Sequence, residues 1–331
     1  MTLRARLASY EGFLCAVLVA LLVINTLTLR DQAGVPMFLT SDNLINMFQL
    51  SAEKIIVALV MTFVIINGEI DLSVASIMGL AACAFGWLFQ QGIPAPAAIG
   101  LCLMIGLACG AFNAFCIVRL GIPSLVVTLA TMIAFRGMAR ILVEDRGITD
   151  FPDWFDRLGQ AGLIGPLPLA LVIFILGAIF AWVVLERSAF GRKVYFIGSN
   201  RAVADYSGID VGRIKAWIFI ASGFVSALAG LLYAARLGAI RGDAALGFEL
   251  DIITMVLLGG ISIFGGSGTM VGTVLAILIV LALRNGMGLA NVTGHIQTGV
   301  LGILLILSVM VPMIREGLTR LFQRGANGTP D

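Results

Sequence analysis

The longest stretch of this chain that cannot lie in hydrocarbon is Glu186–Lys215, reading ERSAFGRKVYFIGSNRAVADYSGIDVGRIK, and apolar runs close on it from both sides. It carries Arg187, Arg192, Lys193, Arg201, Arg213 and Lys215 against only Glu186, Asp205 and Asp210. So dense a positive loop stays on the cytoplasmic side of a membrane, and it fixes the direction of every neighbouring span. Composition sets the class around it. The 331 residues are 60% hydrophobic and 12% charged, with mean hydropathy +1.04, where soluble domains carry roughly 25% charge. The expectation is an all-α, polytopic integral membrane protein. Its length allows about ten spans of ~20 residues. A net charge of +2 gives no argument for nucleic acid.

Within the interval, Asn200–Ser207 has the pattern of a short helix, with Asn200 able to cap it and Gly208 able to end it. It reads either as a solvated connector or as a docking helix for a cytoplasmic protein. Docking is the favoured reading, because loops held by a rigid scaffold are where function concentrates.

In chain order, Arg4 and Arg6 precede the first apolar run, Gly12–Leu29. No small-x-small cleavage pattern follows, so this run reads as an uncleaved first span with a cytoplasmic N-terminus. Further spans are expected at Leu50–Ile66, Val74–Phe89, Ala95–Val118, Ser124–Val143, Leu167–Leu185, Ile214–Leu237, Leu250–Gly260, Met270–Leu283 and Gln297–Val311. Glu53 and Lys54 lie near the outer end of the second, within snorkelling reach of the interface. Arg136 and Arg140, one turn apart, read either as a substrate-facing pair or as interface anchors, with anchoring favoured. The acidic segment Glu144–Pro166, with Trp154 and Phe155, is the longest outer loop and reads as a solvated cap or a docking surface. The segments around Gly238–Glu249 and Arg284–His295 are also placed outside. Arg4, Arg6, Arg119, the cations of the central interval, Arg315, Arg320 and Arg324 fall on the inner side of this scheme. Arg30, Arg136, Arg140, Arg146, Arg157, Arg236, Arg241 and Arg284 fall outside, partly offset by acids. The bias favours both termini in the cytoplasm.

Two breaks interrupt the apolar pattern. Asn67–Ser73 sets Glu69 and Asp71 near membrane depth, where carboxylates are costly unless solvated or paired. Asp71 or Ser73 can cap the helix that follows. A glycine-rich break, Gly259–Gly268, follows the eighth run. Each is succeeded by spans that end near an asparagine, Asn113 and Asn285. Paired interruptions of this kind point to a midplane pathway in transporters, which makes Asn67, Glu69, Asp71, Ser73, Asn113 and Asn285 the pathway or gate candidates.

Other chemistry is thin. The sequence has no GxxxxGK[ST], and GGSGTMVGT lacks the lysine of a phosphate cradle. Cys102, Cys109 and Cys116 recur every seven residues beside Gly106 and Gly110, a pattern for close helix packing. No catalytic set, metal cluster or cofactor motif can be assembled, and the lone His295 sits in an outer turn.

Three segments carry a family resemblance. Asn67–Ser76 (NGEIDLSVAS) is similar to the GGIDLSVGS signature of bacterial ABC sugar-importer permeases of the ribose/xylose/arabinose type. Gly191–Lys215 resembles that family's segment ending in SGI, and Leu250–Met287 resembles its LGGTSLAGGKG block. Together they span residues 50–310. Glu69 stands where many members carry a neutral residue and Ser267 where many carry lysine, departures that fit a sub-branch; the GEIDLS variant resembles rhamnose-type permeases, and the general pattern also fits autoinducer-2 permeases. The resemblance implies one transmembrane permease domain over residues 1–331 in a bacterial inner membrane. It implies a second permease copy or paralogue as dimer partner, a separate cytoplasmic ATPase, and a periplasmic sugar-binding protein. It implies import of a monosaccharide or related polyol, with no catalysis in this chain. It places the ATPase contact in the coupling loop 186–215, at Asn200, Arg201, Ala204, Asp205, Ser207 and Gly208. The competing reading is an ion- or proton-coupled secondary transporter, which needs a carboxylate relay drawn from Glu53, Glu69 and Asp71.

Overall fold

The computed structural model describes residues 3–30, 34–144, 146–160, 162–164, 167–308 and 310; Arg315, Arg320 and Arg324 lie outside them. The helices are α1 (Leu3–Thr28), α2 (Ser41–Gln49), α3 (Ala52–Ile66), α4 (Val74–Gln90), α5 (Ala95–Val118), α6 (Ser124–Val143) and α7 (Asp153–Gln160). They continue with α8 (Leu169–Trp182), α9 (Ala189–Ser199), α10 (Arg201–Tyr206), α11 (Val211–Leu237), α12 (Phe248–Leu258), α13 (Met270–Leu289) and α14 (Gly294–Ser308). A π turn at Val183–Arg187 prolongs α8. The strand pairing among the described residues is a small antiparallel hairpin, β1 (Gly162–Ile164) with β2 (Leu167–Pro168), and two isolated bridges. The chain is an all-α, multi-span membrane protein.

By length and composition six of these helices can cross a bilayer, or seven if α2 and α3, bent 57° at their junction, form one broken span. Three of the expected spans, α4, α12 and α14, are shorter helices. For α4 and α12 the surroundings explain the shortness. Helices lodged among other helices need not present a full hydrocarbon-length face to lipid. Every residue of α3 is buried, as is α4 from Val74 to Gly86.

α11 is the spine. Its 27 residues run about 40 Å at 1.5 Å per residue, and it packs on α3, α4, α5 and α7. Its most extensive contact is with α5. A Cβ at Gly106 or Gly110 would collide with Ala227, with the Gly223 carbonyl or with the Phe219 carbonyl. Cys102 and Cys109 lie buried on α5 and Cys116 is half-buried, all free thiols. The small-residue pattern is therefore a helix-packing seam.

Glu53 and Lys54 depart from expectation. They do not snorkel: Glu53 is 1% and Lys54 4% exposed. Lys54 Nζ lies 3.1 Å from Asp251 Oδ2, and Arg284 Nη2 lies 2.6 Å from Asp251 Oδ1. Arg236 Nε donates to Glu53 Oε1 at 2.7 Å, and Arg136 reaches Glu249 at 3.5 Å. Glu249 and Arg284 belong to helices α12 and α13, not to the outer loops. A buried charge is tolerated when paired and hydrogen-bonded, and these pairs tie five helices together at one end of the bundle.

Candidate functional site

The break Asn67–Ser73 runs between two helices that are buried throughout this region, and its polar groups find partners on three others. Ser73 donates to Asp71 Oδ1 through both its amide (2.9 Å) and its hydroxyl (2.6 Å). Ser222 Oγ of α11 donates to Asp71 Oδ2 at 2.7 Å, and Asn113 Nδ2 of α5 donates to Ser73 Oγ at 2.9 Å. Ile70 is held by α6, with its amide donating to Ser124 Oγ and its carbonyl accepting from Thr128 Oγ1. Glu69 pairs with Lys215 of α11, both largely buried. The capping expectation fails: no side chain caps the start of α4. Asp71 reaches across to α11 instead of forward into the first turn. Its carboxylate is fully hydrogen-bonded to hydroxyl and amide donors, with no cation beside it among the described residues. Asn67 is buried with neither amide atom partnered, and Asn113 Oδ1 and Ser226 Oγ are likewise unpartnered.

Five of the six pathway candidates thus gather around the break. Asn285 does not. It exchanges two amide hydrogen bonds of 2.9 Å with Asn43 of α2 and lines a separate pocket near the ion-pair cluster. Of their partners, Lys215 stands out in the sequence only as a cation of the polar interval, and Ser124, Thr128 and Ser222 do not stand out. Only the regular spacing of small polar residues in α11, Ser222 and Ser226, offered a signal.

The two breaks meet. A Cβ on Gly265 would come within 2.8 Å of the Gly68 Cα, and Gly266 N donates to the Ile66 carbonyl at 2.8 Å. Gly198, at the end of α9, sits so close that a Cβ there would strike the Ile66 carbonyl and the Gly266 amide. Gly68, Gly265 and Gly266 all adopt φ between +73° and +84°, the left-handed region open to glycine. Tyr195 Oη donates to the Gly268 carbonyl at 2.9 Å, and Glu186 Oε1 accepts from the Met270 amide at 3.1 Å. The glycine-rich stretch is a packing knot. It joins the end of α3, the end of α9 and the α12–α13 link.

α10 projects from this knot. Asn200 Oδ1 accepts from Val203 N at 3.1 Å, a side-chain N-cap, and Gly208 has φ +76° just past the helix end. Ala204 is fully buried and seats the helix; Ser207 Oγ donates back to the Val203 carbonyl at 2.8 Å. Arg201, Val203, Asp205 and Tyr206 are exposed, Tyr206 to 94%. Arg201 and Asp205 share a face by spacing but form no ion pair. Tyr206 and Val203 were overlooked in the sequence, where a short polar helix draws attention to its charges. Arg192 and Lys193 of α9 are also exposed, and neither has an acidic partner among the described residues.

Among the described residues no group of His, Cys, Asp or Glu has the arrangement of a metal site. The apolar cavity of about 270 Å³ between α3, α8 and α11, walled by Phe63, Phe180 and Trp217, has nothing to hold a polar solute.

Comparison with known proteins adds to this geometry. The profile of the family described as branched-chain amino acid transport system / permease component matches residues 43–309, from α2 to the end of the described helices; α1 precedes the match. The chain is 37% identical over 281 residues to the autoinducer 2 import system permease protein LsrD of Salmonella paratyphi B, covering 82% of this chain and 84% of that protein. It is 38% identical to the protein of the same name in Escherichia coli, covering 82% and 85%. A solved structure described as an inward-facing metal-chelate type ABC transporter aligns over 90% of this chain and 99% of that one, at 15% identity and a TM-score of 0.48, too loose a likeness to build on.

Proposed function

The chain belongs to the family of permease components of branched-chain amino acid transport systems, and we propose that it carries a monosaccharide, or a small polyol of the autoinducer 2 kind, into the cell. It is the permease subunit of an ABC importer, a multi-pass protein of the inner membrane. ATP hydrolysis belongs to a separate chain. In this proposal ten traverses (α1, α2–α3, α4, α5, α6, α8, α11, α12, α13 and α14) leave both termini in the cytoplasm, and the bundle works as a dimer with a second permease. A periplasmic binding protein delivers the solute to the face that carries Trp154.

α10 is the contact for the ATPase. The observation that supports this is the mismatch between a helix seated by one buried alanine and a surface of Arg201, Val203, Asp205 and Tyr206 with nothing packed on it. A push on α10 reaches α9, and α9 ends against the Ile66 carbonyl and Gly266. With no slack at that glycine knot, the displacement passes as a rigid-body motion to the break Asn67–Ser73 and to the α12–α13 link. The break, tethered to α5, α6 and α11, is the element whose rearrangement opens or closes the pathway beside Glu69, Asp71, Ser73 and Asn113.

The secondary-transporter reading loses ground on the same geometry. Two of its three relay carboxylates, Glu53 and Glu69, are committed to buried ion pairs. The test is reconstitution of the permease with its ATPase and candidate binding proteins in liposomes. Uptake that requires internal ATP and a loaded binding protein is expected. Uptake driven by an ion gradient without the ATPase would overturn the proposal. Single cysteines on a Cys-free background, probed with an impermeant thiol reagent, test the orientation: position 203 should resist labelling from outside intact cells and position 154 should accept it.

A further inference from the structure

At the end of the bundle that carries the ion pairs, α2, the start of α3, the end of α13 and the start of α14 enclose a pocket of about 580 Å³, within the range of roughly 300–1,000 Å³ typical of small-ligand sites. Its walls mix the apolar Met47, Leu281 and Leu289 with the polar Asn43, Ser51 and Arg284. The Asn43–Asn285 amide pair satisfies itself and forms one side. Among the described residues the ion cluster beside it is not formally neutral, because Lys54, Arg136, Arg236 and Arg284 stand against Glu53, Glu249 and Asp251. One positive charge is left over. The donors that face the pocket are not used up either. Arg284 gives Nη2 to Asp251, while its Nη1 has no acceptor among the described residues. Lys54 has three N–H donors and one carboxylate. Among the described residues, the hydroxyl of the buried Ser51 and the side-chain amide of the exposed Asn46 have no partner.

Surplus positive charge with surplus donors selects an anion. Lys and Arg beside a hydroxyl and an amide make a set suited to phosphate oxygens, which accept several short hydrogen bonds at once. The setting adds a location. α2 turns 57° away from α3 and so lies across the helix ends. Leu50, 61% exposed, lines the same pocket and offers apolar surface at its rim. A charged head with a chain beside it fits that combination. We propose that this pocket binds a phosphate-bearing anion, supplied either as the headgroup of an anionic phospholipid or as a soluble phosphate ester. The anion chemistry stands on these residues alone; assignment to the outer leaflet rests on the orientation proposed above.

Asn46 provides the test, because it is exposed and unbonded and lies outside the ion-pair cluster. The full-length chain is delipidated in detergent, and binding of phosphatidylglycerol, phosphatidylcholine and glycerol 3-phosphate is measured by native mass spectrometry and by the ligand-induced rise in melting temperature. Asn46→Asp should weaken phosphatidylglycerol binding about tenfold and Asn46→Lys should strengthen it, the order expected for one charge placed near another at a partly screened site. Neither substitution should change the melting temperature without ligand. Binding of glycerol 3-phosphate with the same ranking of variants identifies a soluble source; binding of phosphatidylglycerol alone identifies lipid. Equal affinity of all three proteins for phosphatidylglycerol, equal binding of the zwitterionic lipid, or no binding of either phosphate compound overturns the proposal. ATP hydrolysis stimulated by the binding protein, measured in parallel on Asn46→Asp, reports on the transport reading separately.

Discussion

At one end of the bundle Lys54, Arg236 and Arg284 each meet a carboxylate within 3.1 Å, whereas at the other Arg192, Lys193 and Arg201 meet none among the described residues. The residue types are the same and the surroundings are not. The first group is enclosed by α3, α11, α12 and α13, where an unpaired charge would cost several kcal/mol. The second sits on α9 and α10 in contact with water, where an ion pair contributes roughly 0–1 kcal/mol and is not needed for folding. The difference separates charges whose carboxylate partners tie helices together from charges that have no such partner within the described fold. Between them lies the break Asn67–Ser73, buried yet organised mainly by hydroxyls and amides.

The sharpest way to break this comparison is to remove Asp251. Asp251→Asn strips Lys54 and Arg284 of their shared carboxylate and should destabilise the protein by about 3–5 kcal/mol, seen as a lowered melting temperature and poor recovery of folded protein in detergent. A melting curve like that of the parent would mean that the cluster does not hold the fold.

Arg201→Glu is the mirror experiment. It should leave expression and melting temperature unchanged, weaken co-purification of the ATPase by roughly 2–5 kcal/mol if Arg201 lies in a docking groove, and abolish the stimulation of ATP hydrolysis by the loaded binding protein. Tyr206→Ala should act in the same direction. Normal stimulation in both variants would move the ATPase contact elsewhere.

The break should give an intermediate response. Asp71→Ala leaves the Ser222 hydroxyl and the Ser73 donors unmatched, a loss of about 1–3 kcal/mol. If Asp71 capped the start of α4, Asp71→Ala would be expected to do more damage than Glu69→Gln. The partner of Glu69 reverses that order: Glu69→Gln leaves the buried Lys215 without its carboxylate and should be at least as damaging. Melting temperatures of the two variants, with Lys215→Met added to Glu69→Gln as a rescue, decide between them.

The smallest effect is expected at Asp156 on α7. Burial, and secondarily the charge of Asp153, hold its carboxyl above the usual range, and its Oδ1 has no partner. A carboxyl whose folded pKa is raised binds its proton more tightly in the folded state, so stability rises as pH falls through that range. Asp156→Asn should melt slightly higher than the parent near neutral pH, with the gap closing in acid. A gap that widens in acid would reverse the sign.

Much of the scaffold was legible. Apolar runs marked the helices, the Gly106–Gly110 spacing marked the α5–α11 seam, and Asn200 with Gly208 marked both ends of α10, because each of these is a local pattern. The interval that holds α9 and α10 was legible as the longest run too polar for hydrocarbon. Less of the break was. Asn67, Glu69, Asp71 and Ser73 stood out as polar groups in an apolar setting. Their partners Ser222, Lys215, Ser124 and Thr128 did not, because small hydroxyls are common in membrane helices and Lys215 counted as one more cation of the central loop.

By itself, then, the sequence determined the medium, the helical class, the position of the main polar segment and the chemistry available at the break. Burial of a 20-residue apolar run is a local free-energy matter, readable from composition along the chain. Only the tertiary structure decided which charges are structural. Lys54 lies 197 residues from Asp251, and Asp71 lies 151 from Ser222. No periodicity spans such distances. Whether Lys54 snorkels to water or is enclosed in an ion pair depends on which helices pack around it, and burial then makes pairing obligatory by removing the water that would otherwise solvate the charge.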